Sequence, residues 1–244
     1  MQSQSKQPKK QKNTKKTTLS IDKNLELKKF KPLTKNQNNA FDYYYDGYNL
    51  CLLGSGGTGK TFIALFLALE TILEPNSPYK KIYVIRSLVP SRDIGFLPGN
   101  AKEKAEIYEQ PYKAICTELF NRGDAYNNLK SKNIIEFVTT SFLRGTTFND
   151  CIIIADEVQN FVWNELLTTI TRTGKNTKLL YVGDVKQSDI KTHYKTYESN
   201  DILKFMKVIE TMDCFKCIKF TSEDIVRSGI TKEFIINAEK LGYM

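Results

Sequence analysis

The sequence is poor in histidine and tryptophan, with one of each among 244 residues. His193 and the cysteines at 214 and 217 give three of the four ligands that a structural zinc ion needs, so a zinc centre is not expected. Apolar runs are short and none approaches the roughly 18 residues of a transmembrane helix, which excludes a membrane span. No apolar segment follows the polar, lysine-rich N-terminus, which argues against a secretory signal and favours the cytoplasm. Five scattered cysteines do not form a disulfide framework and are expected to be buried, reduced thiols.

Positive charge is concentrated at the N-terminus. Residues 1–31 contain ten lysines against Asp22 and Glu26, a net charge of +8 out of the +9 of the whole chain. This composition predicts a disordered, lysine-rich arm over residues 1–31 and a folded domain over residues 32–244. Such an arm either attracts the phosphate backbone of a nucleic acid or serves as a solubilising tail.

The domain alternates short apolar runs with helical stretches. The runs are partly β-branched and do not alternate strictly, which is typical of strands covered on both faces. The predicted strands are 49–53, 81–86, 134–138, 151–155, 178–182 and 217–220. The predicted helices are 59–73, 101–121, 161–172, 201–212 and 231–241, with Pro111 expected to kink the second helix or to start another. The alternation predicts an α/β domain with a mostly parallel sheet and helices on both faces.

A glycine-rich segment follows the first predicted strand and leads into a helix. Its residues are Gly54, Ser55, Gly56, Gly57, Thr58, Gly59, Lys60 and Thr61. Four residues separate the first glycine from Gly-Lys-Thr, which is the P-loop spacing. The glycines let backbone N–H groups surround phosphate oxygens, and the positive end of the helix points at the same oxygens. We expect Lys60 to contact the β- and γ-phosphates and the Thr61 hydroxyl to bind Mg²⁺.

Two carboxylates end the fourth predicted strand. Asp156 is placed to hold Mg²⁺, and Glu157 to orient or deprotonate an attacking water. The next strand runs into Gly183 and Asp184, and three residues later Gln187 offers an amide to the γ-phosphate or to that water. An ATPase needs all of these functions.

The ordered set of motifs resembles the PhoH-like proteins, a family of ATPases of bacteria and their phages that is induced by phosphate starvation. The resemblance rests on Gln37, residues 54–61, 156–160 and 183–187, and extends to segments around 86, 95–104, 142–148 and 220–227. It implies a single RecA-like P-loop domain of the superfamily-1 helicase type that binds ATP and Mg²⁺ and hydrolyses ATP. It also implies single-stranded nucleic acid, RNA more than DNA, as a partner. Homo-oligomeric rings, hexamers among them, are implied as well.

The same resemblance assigns roles to four further residues. Gln37 matches a glutamine that recognises the adenine edge, and Arg227 matches an arginine that serves as an arginine finger, either in cis or from a neighbouring subunit. Arg86 and Arg144 also match, and they line the nucleotide site or a nucleic-acid channel, or form structural salt bridges.

Two other functions remain open from the sequence. A nucleoside kinase resembling type II thymidine kinase also combines a P-loop with an Asp-Glu-x-Gln strand. The other alternative is a nucleotide-gated nucleic-acid-binding protein without turnover, although such a protein does not need the carboxylate of Glu157.

Overall fold

A parallel β-sheet with helices on both faces forms the protein. The computed structural model describes residues 25–87, 101–184, 201–227 and 229–243, with only the backbone described for residues 101–105. The strands are β1 (Asn49–Gly54), β2 (Lys81–Arg86), β3 (Ile135–Thr139), β4 (Cys151–Asp156), β5 (Thr177–Gly183) and β6 (Phe215–Phe220). The helices are α1 (Lys35–Tyr45), α2 (Lys60–Leu73), α3 (Ala101–Phe120), α4 (Ala125–Ser131), α5 (Trp163–Thr171), α6 (Asp201–Ile209) and α7 (Ile230–Lys240). None of these helices has both the length and the apolar character to cross a bilayer.

The strand order is β3-β2-β4-β5-β1-β6, and every pair of neighbours is parallel. All six carboxyl ends therefore lie at one edge of the sheet, the edge at which open α/β sheets bind ligands. The segments after β1, β4 and β6 meet there, together with Asp184 at the end of β5. The predicted α/β class with a parallel sheet is confirmed.

Alternate residues of the strands pack on opposite faces of the sheet. Leu50 and Leu52 of β1 belong to a core shared with α1, α2, α3 and α4, whereas Cys51 and Leu53 belong to a second core shared with α5 and α6. All four of these side chains are buried. This double coverage explains why the strand sequences are continuously apolar and do not alternate with polar residues.

Helix α3 continues through Pro111, so of the two predicted alternatives, a kink or the start of another helix, the second is wrong. Proline lacks the N–H that would bond the carbonyl of Ile107, one turn earlier. Both Pro111 and Ile107 are exposed, so water can solvate that carbonyl. The short helix α4 (Ala125–Ser131) was not predicted, because asparagine and serine favour turns as readily as helices.

Residues 25–31 pack on the domain, so the predicted boundary at residue 31 lies too late in the sequence. Leu25 is buried, and Lys28 N–H donates a hydrogen bond to the carbonyl of Leu119. The ring of Phe30 contacts those of Phe62 and Phe66, with centroids 5.0 and 5.6 Å away. The apolar residues of this segment are separated by charged residues, so the sequence shows no apolar run there. Residues 1–24 of the predicted arm lie outside the described residues.

All five cysteines are free. Burial was predicted for all of them, but two are exposed. Cys51, Cys116 and Cys151 are buried, whereas Cys214 and Cys217 are exposed. The difference follows from topology, because β6 is an edge strand and Cys214 comes just before it.

Candidate functional site

The phosphate loop, residues 54–61, connects β1 to α2 at the carboxyl edge of the sheet. Gly54 has a φ of +129°, and a Cβ on it would lie 1.9 Å from the carbonyl oxygen of Phe220 in β6. Gly59 has a φ of +80° and is the N-cap of α2, which begins at Lys60. The glycines therefore let the loop turn tightly against β6 and deliver Lys60 and Thr61 to the first turn of the helix.

The side chain of Lys60 folds back into the phosphate loop. Its Nζ donates hydrogen bonds to the carbonyl oxygens of Gly54 and Ser55, both at 2.7 Å, and to Oγ1 of Thr58 at 3.2 Å. Burial lowers the pKa of this ammonium, while the charge of Asp184 and other nearby carboxylates acts in the opposite direction. The loop thus concentrates a buried positive charge, which an anionic group such as a triphosphate would stabilise.

Thr61 and Asp156 meet at the end of β4. The Thr61 hydroxyl donates to Oδ1 of Asp156 at 3.0 Å, and the Tyr112 hydroxyl donates to Oδ2 at 2.7 Å. Burial, followed by the charge of Glu157, raises the pKa of Asp156 to about 6. A hydroxyl beside a buried carboxylate is an oxygen donor set that suits Mg²⁺, so these residues fit the predicted metal.

Glu157 is held at the same edge in an unusual backbone conformation. Its φ is +56°, in the left-handed region, and it begins a short turn of residues Val158–Asn160. The Gln159 amide donates to Oε2 of Glu157, and its oxygen accepts from the backbone N–H of Asp184 at 2.9 Å. Gln159 thus connects the ends of β4 and β5. No role was predicted for Gln159 from the sequence, although it belongs to the same motif as Asp156 and Glu157.

Gln37 lies against the phosphate loop. Its side-chain oxygen accepts from Leu33 N–H at 2.8 Å, and its Nε2 donates to the carbonyl of Thr58 at 3.0 Å. The side chain is 1% exposed. The amide therefore ties the start of α1 to the loop, and each of its two polar atoms has one hydrogen-bonding position beyond these contacts.

Two of the three predicted arginines lie at the carboxyl edge of the sheet. The Cδ of Arg227 is 3.4 Å from the place a Cβ on Gly57 would occupy, so Arg227 lies over its own phosphate loop. Arg86 ends β2 beside Asp156 and packs over the ring of Tyr108, with its guanidinium carbon 5.4 Å from the centroid. Arg144 is exposed on the segment between β3 and β4. Gln187 lies outside the described residues.

Helix α7 also reaches the phosphate loop. The Ser55 hydroxyl donates to Oε1 of Glu239 at 2.5 Å, across 184 residues. Neither this contact nor that of Tyr112 with Asp156 has a local signal in the sequence, because each joins residues that only the folded topology brings together.

Comparison with known proteins places the chain in a family. The family described as PhoH-like protein matches residues 29–239. A PhoH-like protein of Bacillus subtilis is 31% identical over 185 residues, covering 75% of this chain and 56% of its own. The protein PhoH of Escherichia coli is 28% identical, covering 72% of this chain and 49% of its own. The chain thus spans about half the length of these relatives.

Among solved structures, the large terminase of a thermophilic bacteriophage aligns with 84% of this chain and 49% of its own. The identity is 11% and the TM-score is 0.48. The family match spans nearly all of the folded region and includes both the phosphate loop and the acidic pair. The chain belongs to the PhoH-like protein family.

Proposed function

We propose that this chain is a cytoplasmic Mg²⁺-dependent ATPase whose activity is coupled to single-stranded nucleic acid, RNA more than DNA. The observation that carries the proposal is the 3.0 Å contact of Thr61 with Asp156 beside the phosphate loop, with Glu157 as the next residue. Residues 54–61, the pair of Thr61 and Asp156, and Glu157 lie at one edge of the sheet, which supports their roles in binding phosphate, binding the metal and activating water.

The phosphate loop and Lys60 hold the triphosphate. Lys60 would exchange the carbonyl oxygens that it contacts for oxygens of the β- and γ-phosphates, and their negative charge would stabilise its buried ammonium. Thr61 and Asp156 would hold Mg²⁺, which neutralises charge on the phosphates when it is bound. Gln37 would recognise adenine by turning its buried amide away from Leu33 and Thr58 toward the base.

Glu157 orients the attacking water and accepts its proton. Its carboxylate is fixed by the amide of Gln159, which leaves the other oxygen for the water. Gln187 would contact the γ-phosphate. The position of Arg227 over its own loop supports a role in cis as the arginine finger.

The nucleic-acid partner is supported by the net charge of +8 over residues 1–31 and by the family. We include a homo-oligomer, with a hexameric ring as one arrangement, in this proposal. Light scattering of the full chain with and without ATP measures the subunit number.

Release of phosphate from ATP tests the proposal. Lys60→Ala should abolish ATP binding, and Glu157→Gln should keep ATP bound while slowing phosphate release by about 100-fold or more. Glu136→Gln is the control. Glu136 of β3 forms an ion pair with Lys81 of β2 and lies outside the site. Single-stranded RNA should stimulate the wild-type rate more than DNA does.

The two alternatives give different results in the same assay. A kinase would transfer the γ-phosphate to thymidine and release little free phosphate. A nucleotide-gated binding protein would bind ATP and nucleic acid with no turnover in the wild type, and Glu157→Gln would change nothing. Either result would refute the ATPase proposal.

A further inference from the structure

Tyr112 connects helix α3 to the acidic residue of the proposed metal site. Its side chain is fully buried, and its hydroxyl donates to Oδ2 of Asp156 at 2.7 Å. The hydroxyl therefore supplies a hydrogen bond to this carboxylate from within the protein core.

The two oxygens of Asp156 have different partners. Oδ1 accepts from Thr61 and Oδ2 accepts from Tyr112, so each carboxylate oxygen is held by its own hydroxyl. A buried carboxylate with one partner could rotate about its Cβ–Cγ bond, because such terminal torsions are broad. With both partners, Oδ1 stays beside the Thr61 hydroxyl, where the metal would bind.

Arg86 lies beside Asp156 in the pairing of β2 with β4, and its guanidinium carbon lies 5.4 Å from the ring centroid of Tyr108. Its positive charge offsets part of the negative charge of the acidic pair. Tyr112 therefore holds the Asp156 carboxylate by a hydrogen bond, whereas Arg86 compensates charge beside it.

We infer that Tyr112 is a positioning residue that holds Asp156 in the orientation in which it binds a divalent metal. The inference rests on the proposed function, because it concerns the same metal. Hydrogen-bonding partners of metal ligands commonly change metal affinity by about 10- to 100-fold when they are removed. The phosphates contact Lys60 and the loop instead, so the affinity for metal-free nucleotide should not depend on Tyr112.

Electron paramagnetic resonance of Mn²⁺ tests the inference without turnover. Mn²⁺ prefers the same oxygen ligands as Mg²⁺, and its free signal falls when it binds. Titrations of the full chain with a nonhydrolysable ATP analogue would compare wild type, Tyr112→Phe and Tyr181→Phe. Tyr181 is the matched control, since it is fully buried and its hydroxyl has no hydrogen-bond partner within the described residues.

We expect Tyr112→Phe to weaken Mn²⁺ binding by about 10-fold. Its affinity for the analogue in EDTA should stay within about two-fold of wild type, and Tyr181→Phe should match wild type in both measurements. A misfolded variant would lose both affinities, so the comparison separates a local effect from unfolding. If Tyr112→Phe does not fold, Tyr112→Met gives the second test, because methionine also lacks the hydroxyl and adapts to irregular core space, with weaker Mn²⁺ binding and unchanged analogue binding expected.

Unchanged Mn²⁺ affinity in Tyr112→Phe, or in Tyr112→Met where that variant is needed, would overturn the inference while the proposed function stands. If wild type shows no nucleotide-dependent Mn²⁺ binding, both the inference and the proposed metal site are wrong.

Discussion

The hydroxyl of Thr61 lies 3.0 Å from Oδ1 of Asp156, although 95 residues separate the two in sequence. Thr61 is the second residue of α2, whose start is set by the left-handed Gly59, and Asp156 is the last residue of β4. Strand β5 lies between β1 and β4, so Thr61 reaches across the end of β5. The contact therefore joins the phosphate loop to the acidic pair.

The first prediction is that Thr61→Val weakens metal binding and stability together. Valine has nearly the shape of threonine but no hydroxyl, so the proposed metal loses a ligand and buried Asp156 loses a donor. We expect the free energy of unfolding in EDTA to fall by about 1–3 kcal/mol. Urea titrations give this value, and Mg²⁺ titrations of ATP hydrolysis should show half-saturation at a higher concentration.

Thr169→Val is the control for this substitution. Thr169 also lies in a helix and is buried, and its hydroxyl donates to the carbonyl of Glu165 in its own helix, away from Asp156. It should leave the Mg²⁺ titration unchanged. Equal Mg²⁺ dependence in both variants would contradict a metal-binding role of Thr61.

The second prediction compares two glycines with positive φ. A methyl group on Gly54 would lie 1.9 Å from the carbonyl oxygen of Phe220, whereas Gly47, with a φ of +94°, has open space around its Cβ position. Gly47→Ala should cost about 1–2 kcal/mol of backbone strain. Gly54→Ala must also displace β6, so we expect a larger loss in a urea titration. Similar losses of unfolding free energy in the two variants would show that β6 can shift at little energetic cost.

The strands and the phosphate loop could be predicted from the sequence because their signals are local. A strand covered on both faces is a short apolar run, as in Ile152–Ile154 of β4, and a P-loop needs fixed spacing. Parallel connections then place the ends of β1, β4 and β5 at one edge. The positions of Lys60 and Asp156 follow from these rules alone.

The residues that position the site could not be predicted, because their contacts depend on the packing of distant helices. Tyr112 reads as an ordinary core residue of α3, and only the approach of α3 to the end of β4 brings its hydroxyl to Asp156. The contact between Ser55 and Glu239 likewise depends on where α7 returns to the sheet. The packing of residues 25–31 could not be predicted either, because Leu25, Leu27 and Phe30 lie among lysines and form no continuous apolar run.

The third prediction concerns the lysine-rich N-terminal residues. Residues 1–24 contain seven lysines and Asp22, a net charge of +6. If they neutralise phosphates, their deletion should flatten the plot of log affinity for single-stranded RNA against log salt by up to about 4, at roughly 0.7 per charge. Fluorescence anisotropy at several salt concentrations gives the slope.

A chain in which those seven lysines are replaced by glutamine keeps the length of the segment and removes its charge. It should show the same flattened slope as the deletion. A slope equal to wild type in both chains would indicate a solubilising tail, and the nucleic-acid interface would then lie on the domain.

The fourth prediction is that Asp156→Asn stabilises the metal-free protein at neutral pH. The folded-state pKa of Asp156 is raised from 3.8 to about 6, mainly by burial. Well below pH 3.8 the carboxyl is protonated in both states and costs nothing. Above pH 6 it is charged in both states, and burial of the charge costs about 3 kcal/mol. Asparagine avoids this cost, so its advantage in EDTA should grow from pH 4 to pH 7.5.

Asp150→Asn should show the opposite sign, which separates the effect of burial from a general effect of removing a carboxylate. Hydrogen bonds from Asn176 and Lys80 lower the pKa of Asp150, so its charged form stabilises the fold above its unfolded pKa and this contribution disappears as the pH falls. Asp150→Asn should therefore lose stability relative to wild type at pH 7.5 and approach wild type at low pH. Urea titrations at both pH values measure the two differences. If Asp156→Asn gained no more at pH 7.5 than at pH 4, burial of the Asp156 carboxylate would carry no cost, and its environment in solution would have to be more polar than the contacts with Tyr112 and Thr61 alone provide.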